Sequence, residues 1–100
     1  MLHSEARVAT ALPRRYLGQL VKHFAHKIPA THDETTGRIE FPFGLCELTA
    51  EGEEALVMRV SSADAEELER LEGVVARHLE RFAFREPPVI AWSRADSPIS

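Results

Sequence analysis

A short basic segment with two histidines, KHFAHK at residues 22–27, holds the side chains best suited to chemistry in this sequence. His23 and His26 are three positions apart, which places them on the same side of a helix. Cys46 and His78 are the other side chains that bind soft metals. Neutral imidazole and thiolate are good donors to zinc and iron. One candidate metal site therefore consists of His23, His26 and Cys46.

Other features argue against that metal site. Lys22 and Lys27 flank the two histidines and would repel a cation, and the sequence contains no CxxC or HExxH motif. Cys46 can equally be a small buried hydrophobic residue, and His78 a hydrogen-bonded residue at the margin of the core. The sequence therefore predicts no cofactor, and the metal site is kept as an alternative.

The second candidate site is a cationic face. Residues 6–32 contain no acidic residue, and their charge of +5 comes from Arg7, Arg14, Arg15, Lys22 and Lys27. On a helical wheel the basic side chains lie opposite the apolar stripe. Such a face attracts an anionic ligand or an acidic partner, or it is a solvated face whose cations complement the C-terminal end of the helix dipole. The candidate ligand-binding residues are Arg15, Lys22, His23 and His26.

Motifs for catalysis are missing from the sequence. A nucleophilic enzyme would need Cys46 or a serine beside a base and an oxyanion hole. Cys46 lies in a strand pattern without a glycine-rich turn, so its thiol is expected to be shielded and inert. The five glycines are spread singly, which argues against a phosphate-binding loop. The sequence therefore predicts no catalytic residue and a non-enzymatic protein.

Length and composition predict a small globular domain. One hundred residues form a single domain over 1–100, with a core over about residues 4–92 and a frayed tail at 94–100. A hydrophobic content of 44% excludes a disordered chain. One cysteine fits a reducing cytoplasm, and no apolar stretch approaches the ~20 residues that span a membrane. The net charge of -4 argues against nucleic acid as a partner.

Hydrophobic periodicity predicts the elements that must position these residues. Apolar residues alternate in short strands and recur at helical spacing in two longer segments. The predicted order is strand (4–10), helix (13–28), loop (31–36), three strands (38–43, 46–50 and 56–60), helix (from 64) and strand (89–92). Two helices with one apolar stripe each must cover one face of an antiparallel sheet, which is an α+β two-layer sandwich. The uncovered face and the free edges favour a homodimer.

Two local signals refine this prediction. Asp64 followed by Glu67 is typical of a capping box at the start of the second helix. Pro42 lacks the backbone N–H that a strand ladder needs, so the strand that contains it is expected at an edge or with a bulge.

Three segments resemble one bacterial protein family: YLGQLVKHFAHK at 16–27, GRIEFPFG at 37–44 and HLERFAFRE at 78–86. The likeness spans residues 4–92 and is most specific in HFAHK and FPFG. The chain resembles the bacterial domain-of-unknown-function family 2218, which is uncharacterised and has no assigned active-site residues. Its members occur alone or joined to siderophore-interacting flavoproteins. The resemblance therefore implies a bacterial cytoplasmic domain with a link to iron handling.

Three hypotheses of function follow. The first is a non-enzymatic binding or accessory module, homodimeric, whose cationic first helix binds a small anionic ligand. A ferric siderophore is one such ligand, and a siderophore-interacting flavoprotein is one partner that the resemblance implies. The second is a metal-binding protein, and the third is a structural dimerisation module without a small ligand.

Overall fold

A computed structural model describes residues 1–95 as one sheet covered by two helices. In chain order the elements are β1 (Leu2–Ala9), α1 (Pro13–Ala25), β2 (Ala30–His32), β3 (Thr36–Phe41), β4 (Gly44–Glu51), β5 (Ala55–Ser62), α2 (Ala65–Phe82) and β6 (Ser93–Ala95). Each pair of neighbouring strands is antiparallel, and the order across the sheet is β2-β3-β4-β5-β1-β6. The predicted α+β class, with both helices on one face, is confirmed.

The core lies between the helices and the inward face of the sheet. Alternate residues of the strands and one stripe of each helix point into it, as the periodicity predicts. The largest fully buried side chains are Val8, Leu17, Leu20, Val21, Ile39, Leu48, Leu56, Met58, Val60, Leu68, Leu71 and Leu79. Each such side chain contributes roughly 1.5–3 kcal/mol before the conformational entropy is subtracted.

Two strand predictions are wrong. The predicted loop at 31–36 contains part of β2, which pairs with β3 so that Ala30 lies opposite Ile39. The last strand lies at Ser93–Ala95, beyond the predicted 89–92, and pairs with β1. The sheet therefore has six strands, and residues 94 and 95 belong to it instead of to a frayed tail. The rest of that predicted tail, 96–100, lies outside the described residues.

The helix and turn predictions need smaller corrections. The helix α1 ends at Ala25, earlier than predicted, and the amides of Lys27 and Ile28 both donate to the Phe24 carbonyl. The N-cap of α2 is confirmed, because the Glu67 amide donates to Asp64 Oδ1 at 2.8 Å. Pro42 lies in the tight turn between β3 and β4, where its missing N–H is no loss, and β2 covers the other side of β3.

The outward face of the sheet is charged. Arg59 Nε donates to Glu5 Oε1 at 3.0 Å, and Arg7 Nε donates to Glu51 Oε1 at 2.8 Å. These pairs are about half-exposed, and each contributes about 0–1 kcal/mol. The first pair joins the neighbouring strands β5 and β1, and the second joins β1 to β4 across β5. The outward face therefore carries charged side chains that pair between strands.

A partly buried ion pair ties the edge strand β6 to α2, since the side chain of Arg94 is 41% exposed. Glu72 of α2 is 7% exposed, and Arg94 of β6 donates to its two oxygens at 3.1 Å and 2.9 Å. Burial is the largest single effect and raises the pKa of Glu72, but the hydrogen bonds and positive charge of Arg94, together with the Ser4 side chain, outweigh burial and leave the pKa below its ordinary value. The carboxylate therefore stays charged and bound to the strand.

Removing the charge of Glu72 should destabilise the protein. We expect Glu72→Gln to lower the free energy of unfolding by about 1–3 kcal/mol near neutral pH, because charge-assisted hydrogen bonds are lost. The folded-state pKa is depressed, so this stability is complete above the unfolded-state pKa of about 4.3 and is lost as the pH falls through the folded-state value. Urea denaturation at several pH values measures it. Glu69→Gln, exposed on the same helix, is the control, and equal losses would contradict the prediction.

Gly44 is required where the turn after β3 crosses the end of β5. A Cβ at this position would overlap the Ser61 carbonyl oxygen and the Ser62 hydroxyl. That hydroxyl donates to the Phe43 carbonyl at 2.9 Å, so it is held in place and cannot easily move aside.

We expect Gly44→Ala to lower the free energy of unfolding by about 3 kcal/mol, because a backbone carbonyl must shift to admit the methyl group. The control is Gly52→Ala in open space, which should cost only the ~1–2 kcal/mol of a left-handed alanine, since φ is 55° there. Urea denaturation compares the two. A Gly44 variant as stable as the Gly52 variant would show that the crossing is looser than the structure indicates.

Candidate functional site

The four predicted ligand-binding residues are all exposed, and they divide between the two ends of α1. Arg15 lies in the first turn, whereas His26 follows the last turn as the C-cap residue. Eleven residues at 1.5 Å each separate the two by about 16 Å along the axis. The basic side chains of α1 are therefore exposed, but Arg15 does not share one site with His23 and His26.

His23 meets a second histidine from the other helix. Its ring centroid lies 4.7 Å from that of His78 in α2, with the ring planes tilted by 49°. Nδ1 of His78 lies 2.7 Å from the Val74 carbonyl oxygen, which can only accept a hydrogen bond. That contact assigns the proton of the neutral ring to Nδ1 and leaves Nε2 as the acceptor.

Phenylalanine rings support the two histidines. Phe24 contacts the rings of both, at 5.1 Å from His23 and 4.7 Å from His78. Phe82 lies 5.8 Å from His23, and Phe41 packs on the other side of Phe24 at 5.0 Å. These rings come from all three segments that carry the family resemblance. The fold therefore gathers the most distinctive parts of the sequence at one place.

Positive charge surrounds His23. Its pKa lies below the ordinary value, because burial disfavours the charged ring and the nearby positive charges add to that effect. In decreasing order of effect, those charges come from His78, Arg81, His26 and Lys27. We call these four residues, together with His23, the histidine basin. An open cavity of about 540 Å³ adjoins it, lined by Arg77, His78, Glu80 and Arg81.

The metal hypothesis is not supported by the structure. Cys46 is fully buried in the core, and burial, followed by the charge of Glu47, raises the pKa of its thiol to about 12. Over residues 1–95 no three His, Cys, Asp or Glu side chains lie together in a group that could hold a metal ion. Cys46 therefore acts as a small core residue, and His23 and His26 have no third ligand there.

The sequence did not indicate that His78 and Arg81 join His23. His78 stands one turn before Phe82 on the stripe of α2, which suggests a buried margin but no partner. Arg81 falls on the predicted outer face of that helix. Which residues of two helices meet depends on how the helices cross, and the crossing is set by packing on the sheet.

Comparisons with known proteins agree with this fold and leave the activity open. Neither helix within residues 1–95 is long and apolar enough to cross a lipid bilayer. No protein with a curated description matches the chain. The NMR structure of PA4090 from Pseudomonas aeruginosa is similar, at 35% identity and a TM-score of 0.79, over 93% of this chain and 96% of that one. Residues 5–93 match the family described as an uncharacterised protein conserved in bacteria, DUF2218, and the chain belongs to that family.

Proposed function

We propose that the protein is a non-enzymatic module that binds a small anionic molecule at the histidine basin. The observation that carries this proposal is the meeting of the His23 and His78 rings, 4.7 Å apart, from two different helices. In their protonated form the two imidazoles, with the neighbouring guanidinium of Arg81, can donate hydrogen bonds to one anion. An anion held there would contact both helices at once.

Electrostatics favours an anion over a cation at this position. The charges that act on His23 are all positive, and they include the permanent charges of Lys27 and Arg81. They lower the affinity for a metal cation and attract an anion by their combined field. Glu80 lines the adjoining cavity and is the carboxylate that an anion would have to avoid. The two permanent positive charges of Lys27 and Arg81 outweigh it.

The phenylalanine rings beneath the two histidines make the site rigid before a ligand binds. Phe24 and Phe82 both contact the ring of His23, and Phe41 of β3 contacts Phe24. A site whose side chains are already ordered loses less conformational entropy on binding. The phenylalanines therefore position the imidazoles and need not touch the ligand.

The family resemblance suggests which anions to test. A ferric tris-catecholate centre carries negative charge, whereas a ferric tris-hydroxamate centre is neutral. A basin that recognises charge would bind the first and not the second, so the two complexes separate electrostatic recognition from recognition of iron. A siderophore-interacting flavoprotein would then be the partner that receives or delivers the bound complex.

Self-association stays a prediction. The outward face of the sheet carries half-exposed ion pairs, and each edge strand has three residues. Obligate dimers usually bury a larger apolar surface than such elements provide. Light scattering during size-exclusion chromatography measures the state directly.

Anion binding is tested by titrating the protein with pyrophosphate and with a ferric tris-catecholate complex. We expect Lys27→Gln with Arg81→Gln to weaken binding by about tenfold, a loss of ~1.4 kcal/mol. The control removes two positive charges from the outward face of the sheet, by Arg38→Gln with Arg59→Gln, and should leave the affinity unchanged. Isothermal titration calorimetry reports both. If both double variants bind the anion equally weakly, the binding reflects net charge in general and the proposed site is wrong.

The pH dependence gives a second test. An anion stabilises the imidazolium, so binding takes up a proton. Because the pKa of His23 in the free protein lies below its ordinary value of 6.5, binding strengthens as the pH falls through about 6.5 and below. His23→Asn with His78→Asn should remove most of this dependence. Binding that is independent of pH in the unmodified protein would contradict a role for the histidines.

A further inference from the structure

A second candidate site lies at the other end of α1, where β1 ends and α2 terminates. A partly open cavity of about 410 Å³ is bounded there by β1, α1, β5, α2 and the segment after α2. A more open groove of about 620 Å³ adjoins it, and Tyr16 and Glu86 line both. Pockets for small molecules commonly measure about 300–1,000 Å³.

The walls of the cavity are mainly apolar. Five buried residues form its inner surface: Val8, Tyr16, Leu56, Leu79 and Ala83. Large hydrophobic side chains also stand exposed at this end: Leu12 at 44%, Phe84 at 69% and Val89 at 83%. Leu12 and Phe84 line the groove, and Val89 lines the cavity. An apolar patch beside a concave surface marks a place where an apolar molecule binds.

Tyr16 contributes a polar group between the two spaces. The residue is only 9% exposed, and within residues 1–95 its hydroxyl makes no hydrogen bond. Buried tyrosine hydroxyls usually find a partner. The Tyr16 hydroxyl is therefore available to a ligand that enters from the groove.

The charges around the groove leave a small positive excess. Arg15 and Arg85 line it without an ion pair to any of residues 1–95, and Glu86 opposes them. Arg7 lines the cavity but is already paired with Glu51 at 2.8 Å. Two unpaired cations against one carboxylate give an excess of one charge. That balance matches a single carboxylate better than a phosphate, which carries more negative charge.

We propose that this end of the molecule binds a small molecule with an apolar body and one carboxylate. The body lies in the cavity against Leu79 and Ala83, and the carboxylate lies in the groove between Arg15 and Arg85. The Tyr16 hydroxyl donates to the same carboxylate at the junction. Phe82 lines the groove and also contacts His23, but none of the five residues of the histidine basin lines the cavity or the groove, so each site is tested by its own variants.

Three ten-carbon probes test the proposal on the full chain, below the concentrations at which they form micelles. Decanoate carries the required charge, decanol is neutral and decylamine is cationic. We expect decanoate to bind at least about tenfold more tightly than decanol, with decylamine weakest, as measured by displacement of the fluorescent aromatic sulfonate ANS. Equal affinity for decanoate and decanol would overturn the proposed role of the arginines.

Variants locate the carboxylate. Arg15→Gln with Arg85→Gln should lower the affinity for decanoate by about tenfold and leave the affinity for decanol unchanged. The matched control, Arg38→Gln with Arg59→Gln, removes the same charge from the outward face of the sheet and should change neither affinity. If the control weakens decanoate binding as much, the recognition of a carboxylate at Arg15 and Arg85 is disproved.

The position of the apolar body is tested without altering the core. Tyr16 is the single tyrosine in the sequence, so protein with ¹³C-labelled tyrosine gives one unambiguous set of ring signals. We expect decanoate to shift these signals in proportion to occupancy. Saturating decanoate that leaves them unmoved would place the molecule elsewhere and overturn the proposal, whatever the affinity.

Discussion

The width of the sheet is the constraint on which the two candidate sites depend. Six strands spaced about 4.8 Å apart span roughly 24 Å, and one helix with its side chains covers only about 10–12 Å. Two helices must therefore lie side by side on the inward face. The line along which α1 and α2 meet is a seam that side chains have to fill, and both the histidine basin and the apolar cavity lie on it.

The last turn of α2 supplies residues to both places on the seam, and the two places are filled differently. At the end of α1 the rings of His23 and Phe24 meet His78 and Phe82, and aromatic contacts close the gap. At its beginning Tyr16 faces Ala83, which is too small to fill the space that the ends of the helices enclose. The histidine basin is therefore a charged surface above packed aromatic rings, whereas the other place is a cavity.

The alternation of apolar residues predicted those strands that bury one face. It did not predict the strands that are largely exposed. Residues 30–32 are short and largely exposed, so β2 has no apolar alternation to reveal it. Residues 89–92 were predicted as a strand because Ile90 and Trp92 are apolar. These side chains pack against the core, but the segment does not pair with another strand. The true edge strand holds Arg94, which is fixed by Glu72 from a distant helix.

For the candidate sites too, properties that depend on neighbouring residues could be predicted, and contacts between residues far apart in sequence could not. The charge of α1 and the exposure of its basic residues could be predicted, since they follow from residues close in sequence. The pairing of His23 with His78 could not, because it joins residues 55 positions apart through the crossing of two helices. The apolar cavity could not either, since its walls come from four elements and its existence depends on how Ala83 and Tyr16 fit together.

The beginning of α1 is unfavourable for the helix itself. Its first turn contains Arg14 and Arg15 and no acidic residue, and no side chain caps the free amides. Positive charge at a helix N-terminus opposes the dipole by typically 0.3–1 kcal/mol for each group. A bound carboxylate near Arg15 would reverse this repulsion, because it would face both the guanidinium and the positive end of the dipole. The arrangement lowers the stability of the unliganded protein and increases the affinity for an anion at the same place, which is the behaviour expected of a binding site.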